Sequence, residues 1–442
     1  MEDELSITRS PEPTDGNWGR LYVSRRCIGA ASCRNFAPDL LAEVAPEHEL
    51  VDDGGGRVAA PPVLLDSHDK GAFTGAVRQP RSKEEYLAAR TAAAACPFTA
   101  IRLEKASAPM SAGGLGDPWR DWPRRLEDNV WVLGNLSARN FGAIAYFIER
   151  AGGGVLVDLP KPSEKLFRWL EAHGGVRWLF LSHRDHVQHH AEFAARFPES
   201  RRVMAAADVN RRQRSWADAS DAVEVKLGNG LGPMTLDGTP IPHEALADAE
   251  LAVLPQPGHT AGSLCLLYRG RFLFTGDHLV YSRRLGRIVA PRLQCWEDWE
   301  RQCHSVSQLA AWAETGRLRF QWLLPGHGEW HRFDGDGSAA IIADELQRTL
   351  DWMRRQPRGH VSMRNWVPFI MSRTNPRGQL GRFVLAIGGE GGEAWVLPRA
   401  SRQYLTDYHP ARTDAAIRRL YALAAAGVAS VSLVLWFAMR VL

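Results

Sequence analysis

Residues 182–190 read Ser182-His183-Arg184-Asp185-His186-Val187-Gln188-His189-His190, and this stretch decides how the chain is understood. Four histidines and one aspartate fall between His183 and His190, directly after the apolar run 176–181. A buried strand surfacing into such a loop is poor core material. It is good material for a cation, because neutral imidazole and carboxylate suit divalent zinc, iron or manganese. A solvated His-rich loop is the bland alternative, and a lone histidine would not separate the two.

Three downstream stretches separate them. Residues 254–263 read LPQPGHTAGS and set His259 in a Pro/Gly turn between two apolar runs. Residues 272–277, FLFTGD, end an apolar strand on Asp277, and residues 322–328, WLLPGHG, end another on His327. Each time the chain runs apolar, turns on glycine and presents one candidate ligand at a strand exit. Glycine permits the backbone geometry and close approach needed to aim several side chains at one point.

Working outward, residues 130–133, 143–148 and 155–157 are short apolar runs bounded by glycine, and they predict buried strands. Ser163 is a predicted N-cap, with Leu166, Phe167, Trp169 and Leu170 on one face of the helix it opens and Gly174 ending it. Residues 176–181 form the next strand. A helix from Ser338 to about Met353 carries Ile342, Leu346, Leu350 and Met353 along one face and is assigned to the core.

In this order, PGHTAGS, FTGD and LLPGHG make residues 129–356 resemble the metallo-β-lactamase superfamily, glyoxalase II-like hydrolases among them. The resemblance implies an α/β fold, an αββα sandwich, with His183, His259, Asp277 and His327 as metal ligands and Asp277 bridging two ions. Zinc is the first expectation for the two divalent ions, with iron or manganese behind it. The superfamily's first motif is H-x-H-x-D-H, and this chain departs from it. Counted from His183, the positions four and five along are Val187 and Gln188, which cannot bind metal. Either the loop is two residues longer, or the second site is degraded. The longer loop is preferred here, with Asp185 or His186 completing the first site and His190 serving the second as ligand and catalytic residue beside Asp277.

The chemistry implied is hydrolysis of an ester, thioester or lactone bond by metal-activated hydroxide. No G-x-S-x-G nucleophile elbow is present. Residues 210–221, NRRQRSWADASD, suggest a polar or anionic small-molecule substrate without narrowing it further.

Residues 18–105 carry Cys27, Cys33 and Cys96, the last in a Cys-Pro pair. They resemble one half of a bacterial ferredoxin, with Ala30 where the middle cysteine of C-x2-C-x2-C would stand. The pattern is similar to small three-iron ferredoxins and implies a 3Fe-4S cluster, or a 4Fe-4S cluster with an outside ligand, in an α+β ferredoxin-like domain. The alternative is a domain that has lost its cluster and keeps the cysteines as small buried hydrophobes. A long insertion, 51–81, separates the halves. Cys265, Cys295 and Cys303 lack C-x-x-C spacing and read as ordinary thiols.

The fusion leaves two functions open. One is a hydrolase carrying a ferredoxin-like domain. The other is an iron-dependent oxidoreductase in which the cluster feeds electrons to the second site, which implies an electron-transfer partner. Asp185, two residues after His183, stands where flavodiiron proteins have a carboxylate, and oxygen ligands favour iron. No flavodoxin-like pattern follows residue 356, so the hydrolase is placed first.

Composition fits this reading. In 442 residues, 54 Lys and Arg stand against 50 Asp and Glu, a balance of +4 that argues against a nucleic-acid partner. The start, Met-Glu-Asp-Glu-Leu, is acidic and lacks the apolar run of a secretory signal. Residues 106–128 read as a linker rich in Ser, Gly, Pro and Trp. Residues 420–439, LYALAAAGVASVSLVLWFAM, carry no formal charge and predict a transmembrane helix of about 30 Å. The region 357–419 before it is rich in arginine, which predicts a basic juxtamembrane segment and a single-pass anchor with the domains on the cytoplasmic side.

Overall fold

The alternation read in the sequence becomes two facing sheets. The first has seven strands in the order β11-β10-β9-β8-β7-β6-β5. In chain order these are β5 (Arg124–Glu127), β6 (Val130–Leu133), β7 (Ala145–Ile148), β8 (Gly154–Val157), β9 (Val176–Phe180), β10 (Arg201–Ala205) and β11 (Val225–Leu227). The second sheet runs β12-β13-β14-β17-β18, with β12 (Leu251–Pro255), β13 (Leu264–Tyr268), β14 (Phe272–Gly276), β17 (Trp322–Pro325) and β18 (His331–Arg332). A small hairpin, β15 (Val280–Ser282) with β16 (Arg287–Val289), lies between β14 and β17 in the chain. This computed structural model describes residues 18, 20–23, 27, 29–43, 74–103, 117–119, 121–211, 218–228, 230, 232–292, 295–335 and 338–355.

Period-two alternation sorts the side chains between layers. Tyr146, Val155, Phe180 and Val203 of the first sheet share one core with Val253, Leu266, Phe274 and Leu324 of the second. Neighbouring residues Ala252, Cys265, Leu267, Leu273 and Leu323 point the other way. They pack on helices α4 (Trp299–Glu314) and α5 (Ala339–Arg355). On the outer face of the first sheet, Trp131 and Phe147 meet Trp169 of α2 (Glu164–Ala172), and Phe167 of α2 meets Phe193 of α3 (His190–Arg196). Helix, sheet, sheet, helix is therefore the layer order, a mixed α/β architecture.

Local signals act where expected. Ser163 accepts the Leu166 N–H at the start of α2, and Asp298 accepts the Arg301 N–H at the start of α4. Ile342, Leu346, Leu350 and Met353 of α5 are all buried.

The amino-terminal segment has two antiparallel pairs and one helix. β1 (Leu21–Val23) pairs with β4 (Ile101–Leu103), β2 (Leu41–Glu43) pairs with β3 (Thr74–Ala76), and α1 (Lys83–Ala95) lies between β3 and β4 in the chain. Leu21, Phe36, Leu41 and Ile101 belong to the same core as the facing sheets. The described residues fall in one unit, Met1–His360, so this segment is not a separate bead. The linker expected at 106–128 is corrected in its second half. Residues 124–127 are strand β5, and Trp119 and Trp122 pack on Phe36. Apolar tryptophans gain more from that core than from solvent.

No helix among the described residues is long and apolar enough to cross a membrane. The predicted span 420–439, the basic region 357–419, residues 51–73 of the insertion and residues 212–217 of the loop 210–221 lie outside the described residues.

Candidate metal centre

Four strand exits meet at one rim. His183 follows β9, His259 lies in the turn between β12 and β13, Asp277 follows β14 and His327 follows β17. Backbone bonds lock these exits together. Leu264 N donates to Ser182 O at 2.8 Å, joining the sheets, and Gly326 N donates to Gly276 O at 2.7 Å. Close packing then demands glycine. A Cβ on Gly326 would sit 2.5 Å from His186 Cε1, and one on Gly258 would sit 2.4 Å from Gln302 Cα.

The donors converge in two groups that share Asp277. His183, His259 and Asp277 form one, and His186, Asp277 and His327 form the other; in each, the donor atoms lie within 4.8 Å of one another. Asp185 joins the first group: its Oδ2 is 3.6 Å from His183 Nε2 and 3.7 Å from His259 Nε2. Asp277 Oδ2 is 3.8 Å from each of the same nitrogens. Its Oδ1 is 3.9 Å from His186 Nε2, and both its oxygens face His327 Nδ1, Oδ1 at 2.8 Å and Oδ2 at 3.0 Å. A tetrahedral cation with bonds of about 2.1 Å sets neighbouring donors about 3.4 Å apart. The separations in the first group are close to that edge.

Two further observations fit cations. Among the described residues, Nε2 of His186 and both ring nitrogens of His259 are buried without a hydrogen-bond partner. Buried polar groups left that way are costly unless something else binds them. In addition, Asp158, Asp185 and Asp277 place three carboxylates in the interior beside four imidazoles. Burial works to lower the His186 pKa, but Asp158, Asp277 and Asp185 outweigh it and hold the ring above its ordinary value.

The rings are held by groups behind them. His186 Nδ1–H donates to Asp158 Oδ2 at 2.8 Å, and Asp158 also accepts from Ser182 N and Ser182 Oγ. His183 Nδ1 lies 2.9 Å from Ser182 Oγ, and His327 Nε2–H donates to the Phe141 carbonyl at 3.1 Å. Such partners orient a ligating imidazole and raise its basicity. Asp208 ties two ligand loops together, accepting from Arg184 N, Thr260 Oγ1 and Gly262 N. Neither Asp158 nor Asp208 was singled out in the sequence, since neither stands in a motif.

His190 is a correction. It opens α3, with Nε2 2.8 Å from Ala219 O and Nδ1 3.0 Å from Arg202 Nη1, so both ring nitrogens are engaged away from the centre. The loop is not lengthened: a short 3-10 turn over Arg184–His186 returns His186 to the site at once. Asp185 and His186 thus follow His183 closely on the site side, and the residue two before His183 is the buried Leu181. His189 also stands apart, between Ser137 Oγ at 2.9 Å and Glu192 Oε1 at 2.9 Å. His278, next to Asp277, is fully buried, and burial together with His259 pushes its pKa down to about 3.

The three amino-terminal cysteines meet around a second feature. Cys27, Cys33 and Cys96 line one small, partly open and almost wholly apolar pocket, whose walls include Ala30, Phe98 and Gly142. None forms a disulfide. Their sulfurs do not converge within 4.8 Å as donors to one ion would. Burial, with Cys96 and Cys27 nearby, pushes the Cys33 thiol up to about 12. Cys265 and Cys295 are buried elsewhere, and burial raises both thiols.

No family profile matches the chain, and no curated protein matches it. Among solved structures it is similar to the crystal structure of DIM-1 metallo-beta-lactamase, at 16% identity over 52% of this chain and 95% of that one, TM-score 0.37. It is also similar to a metallo-beta-lactamase from Pontibacter korlensis, at 17% identity over 53% of this chain and 98% of that one, TM-score 0.35. For TMB-1 the values are 14%, 52%, 96% and 0.37.

Proposed function

We propose that this chain is a metal-dependent hydrolase of ester, thioester or lactone bonds, with two divalent cations sharing Asp277. One observation carries the reading: the Asp277 carboxylate belongs to both convergent donor groups, with His183 and His259 in one and His186 and His327 in the other. Bound cations would lower the pKa of a bound water to about 7 and polarise the attacked carbonyl. Asp277 would help to hold both cations, and Asp185 would help to hold the first. Asp158 and Phe141 O hold the rings of His186 and His327 in line. Buried surroundings strengthen each of these interactions by excluding water.

The same reading seats an iron–sulfur cluster between Cys27, Cys33 and Cys96. Three thiols on one pocket support it. It also anchors the chain to a membrane through 420–439, with the domains on the cytoplasmic side.

Metal content and hydrolysis are measured together on wild type and Asp277→Asn, with aryl esters, acyl thioesters and lactones as the panel. Wild type should carry two cations and lose hydrolysis to chelator, and the variant should lose both cations. Two cations retained by Asp277→Asn, or hydrolysis indifferent to chelator, would count against the proposal.

A further inference from the structure

Both main-chain groups of Gly328, the residue after His327, are bonded to the amino-terminal segment. Gly328 N donates to Ala30 O at 3.1 Å, and Gly328 O accepts from Asn35 Nδ2 at 2.8 Å. Two residues on, Trp330 N donates to Asn35 Oδ1 at 3.2 Å. The Asn35 carboxamide therefore serves the 328–330 backbone as a strand partner would, with one donor and one acceptor. Arg283 braces it from the other side: Nη2 donates to Asn35 Oδ1 and Nη1 to Arg34 O, both at 3.3 Å.

A second path from the same segment reaches the ring of His327. His327 Nε2–H donates to Phe141 O at 3.1 Å, and Ser32 Oγ donates to Gly142 O, one residue on, at 2.7 Å. Phe141 and Gly142 both lie in the left-handed region, at φ 53° and 79°. Such a backbone is unfavourable for phenylalanine and persists where its surroundings over-determine it. Ser32 and Asn35 are both buried and belong to one 3-10 turn, Ser32–Asn35. One turn thus grips the main chain that carries His327 and the main chain that receives its ring.

We infer that Asn35 and Ser32 are positioning residues for the second cation position, so that the amino-terminal segment is a working part of the metal centre. This rests on the two-cation reading above and names what builds one half of it. Asn35 sets where the 326–330 loop delivers His327, and Ser32 holds the turn whose carbonyl orients the ring. With Nε2–H committed to Phe141 O, the ring turns Nδ1 toward the Asp277 carboxylate, 2.8 Å from Oδ1. Partners behind a ligating imidazole govern its orientation and basicity. The first position has other supports, Ser182 behind His183 and Asp208 on the backbones of Arg184 and Gly262. Loss of either positioning residue should therefore be felt at one position of the two.

The test titrates the full chain with cobalt(II) alone, whose visible bands report each position as it fills, in wild type, Asn35→Asp and Ser32→Ala. Asn35→Asp keeps an acceptor for Trp330 and Arg283 but sets an oxygen against Gly328 O, so one bond is broken at nearly constant shape. Ser32→Ala removes only a hydroxyl and carries the same prediction should Asn35→Asp fail to fold. Wild type should bind two cobalt ions. Each variant should bind the first as wild type does and the second roughly 10- to 100-fold more weakly. In a His327→Ala background the same substitutions should weaken binding no further, because the ring they position is gone. Wild-type affinity in both variants, equal weakening at both positions, or further loss without His327 would overturn the inference while leaving the two-cation reading intact. A wild-type chain that binds fewer than two cobalt ions overturns that reading and the inference with it.

Discussion

His186 Nδ1 lies 2.8 Å from Asp158 Oδ2, and this pair determines which ring nitrogen of His186 faces the Asp277 carboxylate. With Nδ1–H committed to Asp158, the ring presents Nε2 to Asp277. Asp158 is itself held by the N–H and hydroxyl of Ser182, so the acceptor does not drift.

Asp158→Asn should therefore weaken cation binding by roughly 10- to 100-fold without unfolding the chain, the usual effect of losing such a partner. Competition against a chelator of known affinity measures it. Unchanged affinity would remove His186 from the ligand set.

His190 and His186 should part company in a paired experiment. His186→Ala should lose one cation of two. His190→Ala should keep both and cost about 1–3 kcal/mol of stability, because Ala219 O and Arg202 lose a buried partner. Metal analysis and denaturant unfolding read the two effects separately, and cation loss in His190→Ala would restore the longer-loop reading.

Gly326→Ala should fold but bind poorly at the second position. The added methyl meets His186 Cε1 at 2.5 Å and Asp277 Oδ1 at 3.2 Å, and overpacking of this kind costs about 1–3 kcal/mol. Cation stoichiometry and melting temperature should both fall. A variant with two tightly bound cations would show that the rim yields more than close packing allows.

His331 lends the fold a pH dependence apart from the centre. Burial first, and Arg283 second, push its pKa from 6.5 down to about 4, while its ring stacks on Tyr281 at 3.6 Å. Below pH 6.5 the unfolded chain binds a proton that the folded one refuses, so stability is lost as pH falls from 6.5 to about 4 and levels off below. After discounting for solvent screening, the loss is on the order of 1–2 kcal/mol. His331→Phe keeps the stack and should flatten that part of the curve in urea unfolding at stepped pH. An unchanged slope would place the effect on other groups.

Much of the sandwich was legible because its signals are local. The short apolar runs in 130–133 and 176–181, the Ser163 cap and the one-sided face of α5 each act within a turn or a strand. The candidate donors at strand exits were legible for the same reason, since PGHTAGS, FTGD and LLPGHG each combine an apolar run, glycine and a donor within a few residues. The loop 182–190 was legible as a source of donors but not in its wiring. Spacing alone pointed to His190, whereas a 3-10 turn brought His186 inward and left His190 to Ala219 and Arg202.

What sequence alone determined, then, is the set of residues able to bind cations and the layered sheet that would carry them. What tertiary structure decided is which of them meet. Asp158 reaches His186 across 28 positions, and Ala30 reaches Gly328 across nearly the whole described chain. Such pairings depend on how two sheets stack and on which buried polar atoms must find partners once water is gone, and no local pattern encodes that.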